Sequence, residues 1–234
     1  MADTAPIYRV RALLFDLDGT LVDSRRDLAA ALDLTLADLG LPPLGVEAVT
    51  RLAGDGARRL VERGLTAARP DAVFSEAFIA AALEIFQARY GERLLATTQA
   101  YPGVLTALEH FAALPKAVVT NKPAAFSEAI LKGLGLRSRF VAVIGGDTLP
   151  ERKPHPAPAL AGLAACGVKN PADAVMIGDS PNDIRAGRAA GTLTCAVTYG
   201  FRPAHELTEA EVVIDDLSRL GEWFRAFAPR SPSP

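Results

Sequence analysis

The segment Asp16-Leu17-Asp18-Gly19-Thr20 follows a short apolar run, and so do Thr120-Asn121-Lys122 and Gly178-Asp179-Ser180-Pro181-Asn182-Asp183. A fourth polar cluster, Arg152-Lys153-Pro154-His155-Pro156, lies between two more such runs. Brought to one place, Asp16, Asp18, Asp179 and Asp183 would set four carboxylates side by side. That crowding is electrostatically costly unless a cation is present. Magnesium suits it, being a hard ion that takes oxygen ligands and keeps waters and substrate phosphate in its shell. Lys153 adds a fixed positive charge that could hold a phosphate oxygen. Thr120 supplies a hydroxyl, and backbone N–H groups near Gly19 and Asn121 could cradle an anion. Metal ligands, a phosphate clamp and a spare carboxylate are the parts phosphoryl transfer needs, because its catalysis is mostly positioning and charge neutralisation.

Those clusters can meet only if the apolar runs before them are neighbouring strands. The runs fall at residues 10–15, 117–119, 141–144, 174–177, 194–197 and 212–214, each short enough to be a buried strand. Helical patterns lie between most of them, through Val104, Leu105, Leu108 and Phe111, and again through Phe126, Ile130, Leu131 and Leu134. Strands alternating with helices predict an α/β fold, a Rossmann-like parallel sheet with helices on both faces. In such a sheet ligands bind at the carboxyl ends of the strands, where these clusters fall.

Residues 24–98 break the rhythm. Leu28, Leu32, Leu36 and Leu39 mark one face of a helix that Gly40 and Pro42 stop. Phe74, Phe78, Ala82, Ile85, Phe86 and Tyr90 mark a second, longer helix, and Gly54-Asp55-Gly56 reads as a loop between them. The pattern predicts an all-helical insert, a cap, at 24–98, set into a catalytic core made of 1–23 and 99–228. The proline- and serine-rich residues 229–234 read as a disordered tail.

With 25 basic and 27 acidic side chains the net charge is −2, so nothing draws the chain as a whole to nucleic acid or an anionic membrane. No stretch approaches the length of a membrane span, and the start lacks the pattern of a signal peptide. Two cysteines, Cys166 and Cys195, make neither a disulfide framework nor a zinc site. A cytoplasmic protein, monomer or homodimer, acting on a small phosphorylated metabolite is the expectation, with both cysteines as buried apolar residues.

In order, Asp16-Leu17-Asp18-Gly19-Thr20-Leu21-Val22, Thr120-Asn121, Lys153-Pro154 and residues 178–183 resemble motifs one to four of the haloacid-dehalogenase superfamily phosphatases. The helical insert after motif one fits as well, and the resemblance runs from about residue 11 to about residue 224. It implies that Asp16 attacks phosphorus, and that Asp18 protonates the leaving oxygen and then activates water. It also implies magnesium held by Asp16, Asp179 and the backbone carbonyl of Asp18, with Asp183 supporting the metal through water or by orienting Lys153. Thr120, Asn121 and Lys153 would hold the phosphoryl oxygens. Dehalogenases of the superfamily lack the second aspartate, so Asp18 speaks for phosphate chemistry.

A finer resemblance, to the phosphoglycolate phosphatases, rests on residues 12–24, on 54–65 and on Val197-Thr198-Tyr199-Gly200. It implies a substrate carrying a carboxylate beside its phosphate; the loop and adjacent basic residues of the expected cap offer Arg58, Arg59 or backbone N–H groups near Gly54 and Gly56 to meet it. Other small substrates such as sugar phosphates, and a sugar-phosphate mutase on the same scaffold, are the alternatives. Phosphonate cleavage through a cap lysine is disfavoured, because residues 24–98 contain no lysine.

Overall fold

A computed structural model describes residues 7–227; the expected tail at 229–234 lies outside the described residues. The chain begins with β1 (Tyr8–Val10), β2 (Ala12–Phe15) and β3 (Val22–Asp23). Four helices follow, α1 (Arg25–Asp38), α2 (Gly45–Leu52), α3 (Ala57–Ala68) and α4 (Glu76–Gly91), and β4 (Gln99–Ala100) leads back. Strands and helices then alternate: α5 (Val104–His110), β5 (Lys116–Val119), α6 (Ala124–Gly133), β6 (Ala142–Ile144), α7 (Ala157–Ala165) and β7 (Ala174–Gly178). The chain continues through α8 (Pro181–Ala190), β8 (Leu193–Val197), β9 (Val212–Ile214), α9 (Leu220–Trp223) and β10 (Phe224–Ala226).

Six strands form one parallel sheet in the order β6-β5-β2-β7-β8-β9. They are the six apolar runs of the sequence. Side chains alternate between the two faces of β2: Leu13 and Phe15 enter one buried cluster with Val104, Leu108, Ile130 and Leu131 of α5 and α6. Ala12 and Leu14 enter another with Ala159 and Leu163 of α7. Both faces are covered, which is why these strands read as continuous apolar runs rather than alternating ones. After β6 at one edge the chain crosses back to β7, on the far side of β2. That reversal opens a crevice beyond the carboxyl ends of β5, β2 and β7. The loops after these three strands carry Thr120, Asp16 and Asp179.

The run at 10–15 is not one strand. It breaks at Arg11, whose amide donates to Asp173 O (2.6 Å) and whose Nε donates to the Asp173 carboxylate (3.1 Å). On the far side of the break, β1 pairs in parallel with β10. Cys195 is buried as expected, whereas Cys166 is partly exposed at the C-terminal end of α7, where the helix surface meets solvent.

Helices α1 to α4 pack around a cluster of their own. Leu28, Leu32 and Leu36 of α1 point into it, and α1 ends where Gly40 takes a φ of +69°. Ser75 caps α4, its hydroxyl accepting from Phe78 N (3.2 Å), so Phe74 lies before the helix and stacks on Phe78 instead. Ala82, Phe86 and Tyr90 bury the inward face of α4. The two crossings between the helices and the sheet, β3 and β4, pair antiparallel. Asp27, at the start of α1, ties the returning strand down. Its carboxylate accepts from the amides and hydroxyls of both Thr97 and Thr98, at 2.7–3.1 Å.

Candidate active site

Asp16 leaves the end of the central strand β2, 8% exposed, with its amide donating to Ile177 O of β7 (2.9 Å). Carboxylate oxygens of Asp16, Asp179 and Asp183 all lie within 4.8 Å of one another. Burial pushes the Asp16 carboxyl up to about 6, Asp183 adds to the rise and Lys153 opposes it. Asp179 is raised as well, by burial first and then by Asp183 and Asp16. Asp16 Oδ1 is buried and accepts no well-directed hydrogen bond from the protein. Three converging buried carboxylates set against the single ammonium of Lys153 fit a hard divalent cation, which would neutralise the charge that Lys153 leaves unbalanced.

Lys153 bridges this group. Its Nζ lies 2.9 Å from Asp16 Oδ1 and 2.5 Å from Asp183 Oδ1. Burial pulls the ammonium down, but the two carboxylates outweigh it and leave Lys153 raised and charged. Asp183 has a second task. Its Oδ2 accepts from the Ser180 amide (3.0 Å) and hydroxyl (2.7 Å), a capping box that opens α8. Asp179 is aimed by the Phe201 amide (2.6 Å) and the Thr20 hydroxyl (3.3 Å). Gly19 lies against it with a φ of +83°, and a Cβ there would come within 2.2 Å of the Asp179 carboxylate. Only glycine satisfies both the backbone and the space.

Asp18 faces the cavity from the same loop. Its Oδ1 accepts from Ser24 Oγ (2.5 Å), and Lys122 Nζ donates to Oδ1 and Oδ2 at 3.1 and 2.9 Å. Thr120, 3% exposed, lines the cavity, and its hydroxyl accepts from the Lys122 amide (3.3 Å). The side chain of Asn121 is already occupied. Its Oδ1 accepts from the Lys153 amide (2.9 Å), and its Nδ2 donates to Lys153 O (3.0 Å) and Gly54 O (3.1 Å). Asn121 therefore sets the Lys153 loop in place and joins it to the helical insert, instead of offering its amide to a phosphate.

The insert roofs a cavity of about 60 Å³, with Gly54, Gly56, Leu60, Phe86 and Tyr90 above and Asp16, Asp18 and Thr120 below. Arg58 does not come to it. Its guanidinium pairs with Glu62 one helical turn on (2.8 Å) and with Glu76 of α4, on the outer surface. Arg59 points outward too, toward Glu62 (2.8 Å). The α3 face that carries these arginines is the one turned away from Leu60 and Val61, which are buried. Asp55 turns away from the cavity to Asn182 (2.6 Å) and Arg63 (2.5 Å). The basic groups lining the cavity are instead Lys122 and Arg202. Lys122 stands in the polar triplet Thr120-Asn121-Lys122 after β5, one of the clusters expected at the sheet's carboxyl edge. Arg202 and Tyr90 carried no comparable signal, one lying past β8 and the other reading as a core position of a helix.

Residues 10–191 match the haloacid dehalogenase-like hydrolase family. Phosphoglycolate phosphatase of Rhodospirillum rubrum is 43% identical over 221 residues, covering 91% of this chain and 90% of that protein. Phosphoglycolate phosphatase 1 of Pseudomonas aeruginosa is 42% identical over 214 residues, covering 90% and 78%. A crystal structure of a predicted phosphoglycolate phosphatase from Haemophilus somnus superposes with a TM-score of 0.85 at 33% identity, covering 91% of this chain and 97% of the other. The chain belongs to the haloacid dehalogenase-like hydrolases, and within them it is a phosphoric monoester hydrolase.

Proposed function

We propose that this hydrolase is magnesium-dependent and cleaves 2-phosphoglycolate to glycolate and phosphate, passing through a phosphoryl group carried on Asp16. The observation that carries the reading is the convergence of Asp16, Asp179 and Asp183 around one buried point, with Lys153 bridging two of them. Asp16 and Asp179, with the Asp18 carbonyl, would hold magnesium, which supplies charge neutralisation for the phosphoryl oxygens. Lys153 and the Thr120 hydroxyl would orient those oxygens. A carboxylate oxygen of Asp16 attacks phosphorus while the bond to the leaving oxygen breaks, and Asp18 gives that oxygen its proton. Asp18, now a carboxylate, takes a proton from water as the water oxygen bonds to phosphorus and the Asp16–phosphorus bond breaks. Inorganic phosphate leaves and both aspartates are restored.

The substrate assignment draws on the named relatives. Residues 24–98 would act as a cap that excludes water during the transfer. The backbone near Gly54 and Gly56 remains the candidate partner for the substrate carboxylate. The same reading gives the protein a small phosphorylated metabolite as its partner and the cytoplasm as its setting, and it acts as a monomer or homodimer. Phosphate release from 2-phosphoglycolate with magnesium, wild type beside Asp16→Asn, tests the reading. Turnover that vanishes in the variant is the expected result. A wild type that cleaves other phosphate esters but spares phosphoglycolate overturns the substrate alone.

A further inference from the structure

Asp18 faces the cavity, yet its carboxylate is not free to turn. Ser24 Oγ holds one oxygen and Lys122 Nζ spans both. The same Nζ donates to Tyr90 Oη at 2.6 Å and sits 4.4 Å from the centre of that ring. An ammonium has three protons, and the two oxygens of Asp18 and the Tyr90 hydroxyl account for all three. None is left for a substrate carboxylate. Lys122, 6% exposed, thus serves another side chain and not the ligand.

Tyr90 belongs to the other part of the molecule. It is in the last turn of α4, stacked on Phe86 (5.7 Å between centroids), and it meets the edge of Phe126 of α6 (5.5 Å). Its place is set by how α4 is seated on the sheet. Lys122, in the loop after β5, is the one link that joins α4 to the Asp18 carboxylate among the described hydrogen bonds.

We infer that Lys122 is a positioning residue for Asp18, and that Tyr90 makes its grip depend on the seating of the helical insert. The inference rests on the phosphatase reading, in which Asp18 protonates the leaving oxygen. With α4 seated, Lys122 is walled in by the tyrosine ring and holds Asp18 in one orientation. With α4 lifted, Lys122 loses a hydrogen-bond partner and its apolar wall, and Asp18 loses its restraint. Proton delivery is thereby confined to the state in which the cavity is roofed.

The test compares kcat/KM for an alkyl ester, 2-phosphoglycolate, with kcat/KM for p-nitrophenyl phosphate, whose leaving group departs without a proton. This constant reports steps up to transfer onto Asp16, so the later water attack does not mask the difference. Tyr90→Phe is expected to lower the alkyl-to-aryl ratio about fivefold, and Lys122→Met to lower it about a hundredfold, within the range general acids contribute. In an Asp18→Asn background, Lys122→Met should cost nothing further, since groups acting through one another are not additive. Equal losses on both esters, or a Lys122→Met effect that multiplies with Asp18→Asn, would overturn the inference. If Lys122→Met does not fold, the ratio in Tyr90→Phe, which removes one oxygen, decides alone. A wild type that cleaves p-nitrophenyl phosphate but not phosphoglycolate calls for the same ratio with whichever alkyl phosphate it does cleave. A wild type inactive on every ester overturns the phosphatase reading, and the role of Lys122 falls with it.

Discussion

The acidic group carries its own test, independent of turnover. Burial raises the Asp16 carboxyl to about 6 from 3.8, and Asp179 moves the same way. A carboxyl raised on folding binds its proton more tightly in the native state. Metal-free protein should therefore lose stability as pH rises from about 4 through about 6, where Asp16 must ionise among its neighbours. A divalent cation relieves that cost by taking the place of the proton. Magnesium should raise the melting temperature more at pH 7.5 than at pH 5, and Asp179→Asn should abolish most of the gain. Differential scanning fluorimetry reads both; an equal gain at the two pH values, or one that survives in Asp179→Asn, argues against this site. Lys153 sets the electrostatic balance here, since among the described residues it is the cation that bridges Asp16 and Asp183. Replacing it with methionine would leave two buried carboxylates unpaired, so Lys153→Met should be inactive and destabilised by about 3 kcal/mol or more in chemical denaturation.

Among the elements, the paired crossings β3 and β4 decide how the insert hangs on the sheet. Asp27 is nearly inaccessible and bonds both hydroxyls and both amides of Thr97 and Thr98. Burial alone would push its carboxyl up, but those bonds outweigh burial and hold it below the usual range. A carboxyl lowered on folding stabilises the protein above its unfolded pKa and loses that contribution as pH falls through the folded one. Asp27→Ala should cost about 2 kcal/mol at pH 7, by leaving buried donors unmet, and the difference from wild type should shrink on acidification below pH 4. Urea melts at the two pH values measure this. The glycine-rich turn at 54–56 is the other element that matters. It places Gly54 O on Asn121 and Asp55 on Asn182, so residues from two loops at the carboxyl edge of the sheet also seat the insert.

At the scale of the whole molecule, the helical insert with its own cluster must be held to the sheet and the clusters on its two faces. Arg202, beyond β8, donates to Arg51 O (3.0 Å) and Ala53 O (2.6 Å), crossing from the sheet domain to the α2–α3 turn. Beside it the Phe201 ring packs on the cluster of the insert while the Phe201 amide aims Asp179. Arg202→Ala should loosen the seat without unfolding either part. Limited proteolysis should then cut residues 51–57 several-fold faster, with the urea midpoint nearly unchanged; an unaltered cleavage rate would show that the other contacts suffice. Much of this protein was legible in its residues. Buried strands of a parallel sheet announce themselves as unbroken apolar runs, and a loop that ends such a strand must lie at the sheet's carboxyl edge, so Asp16, Thr120, Asp179 and the helical insert could be placed by local pattern alone. The break at Arg11 was not visible, because it depends on Asp173, far along the chain. Arg58 pairs with Glu62, four residues on and within reach of a helical pattern, but its second partner, Glu76 on another helix, was not visible. The three-way contact of Asp18, Lys122 and Tyr90 joins residues 104 and 32 positions apart. Sequence by itself determined which groups could do the chemistry. Tertiary structure decided which of them meet, because a lysine with three protons becomes a ligand for substrate or a brace for an aspartate only according to what the distant chain packs against it.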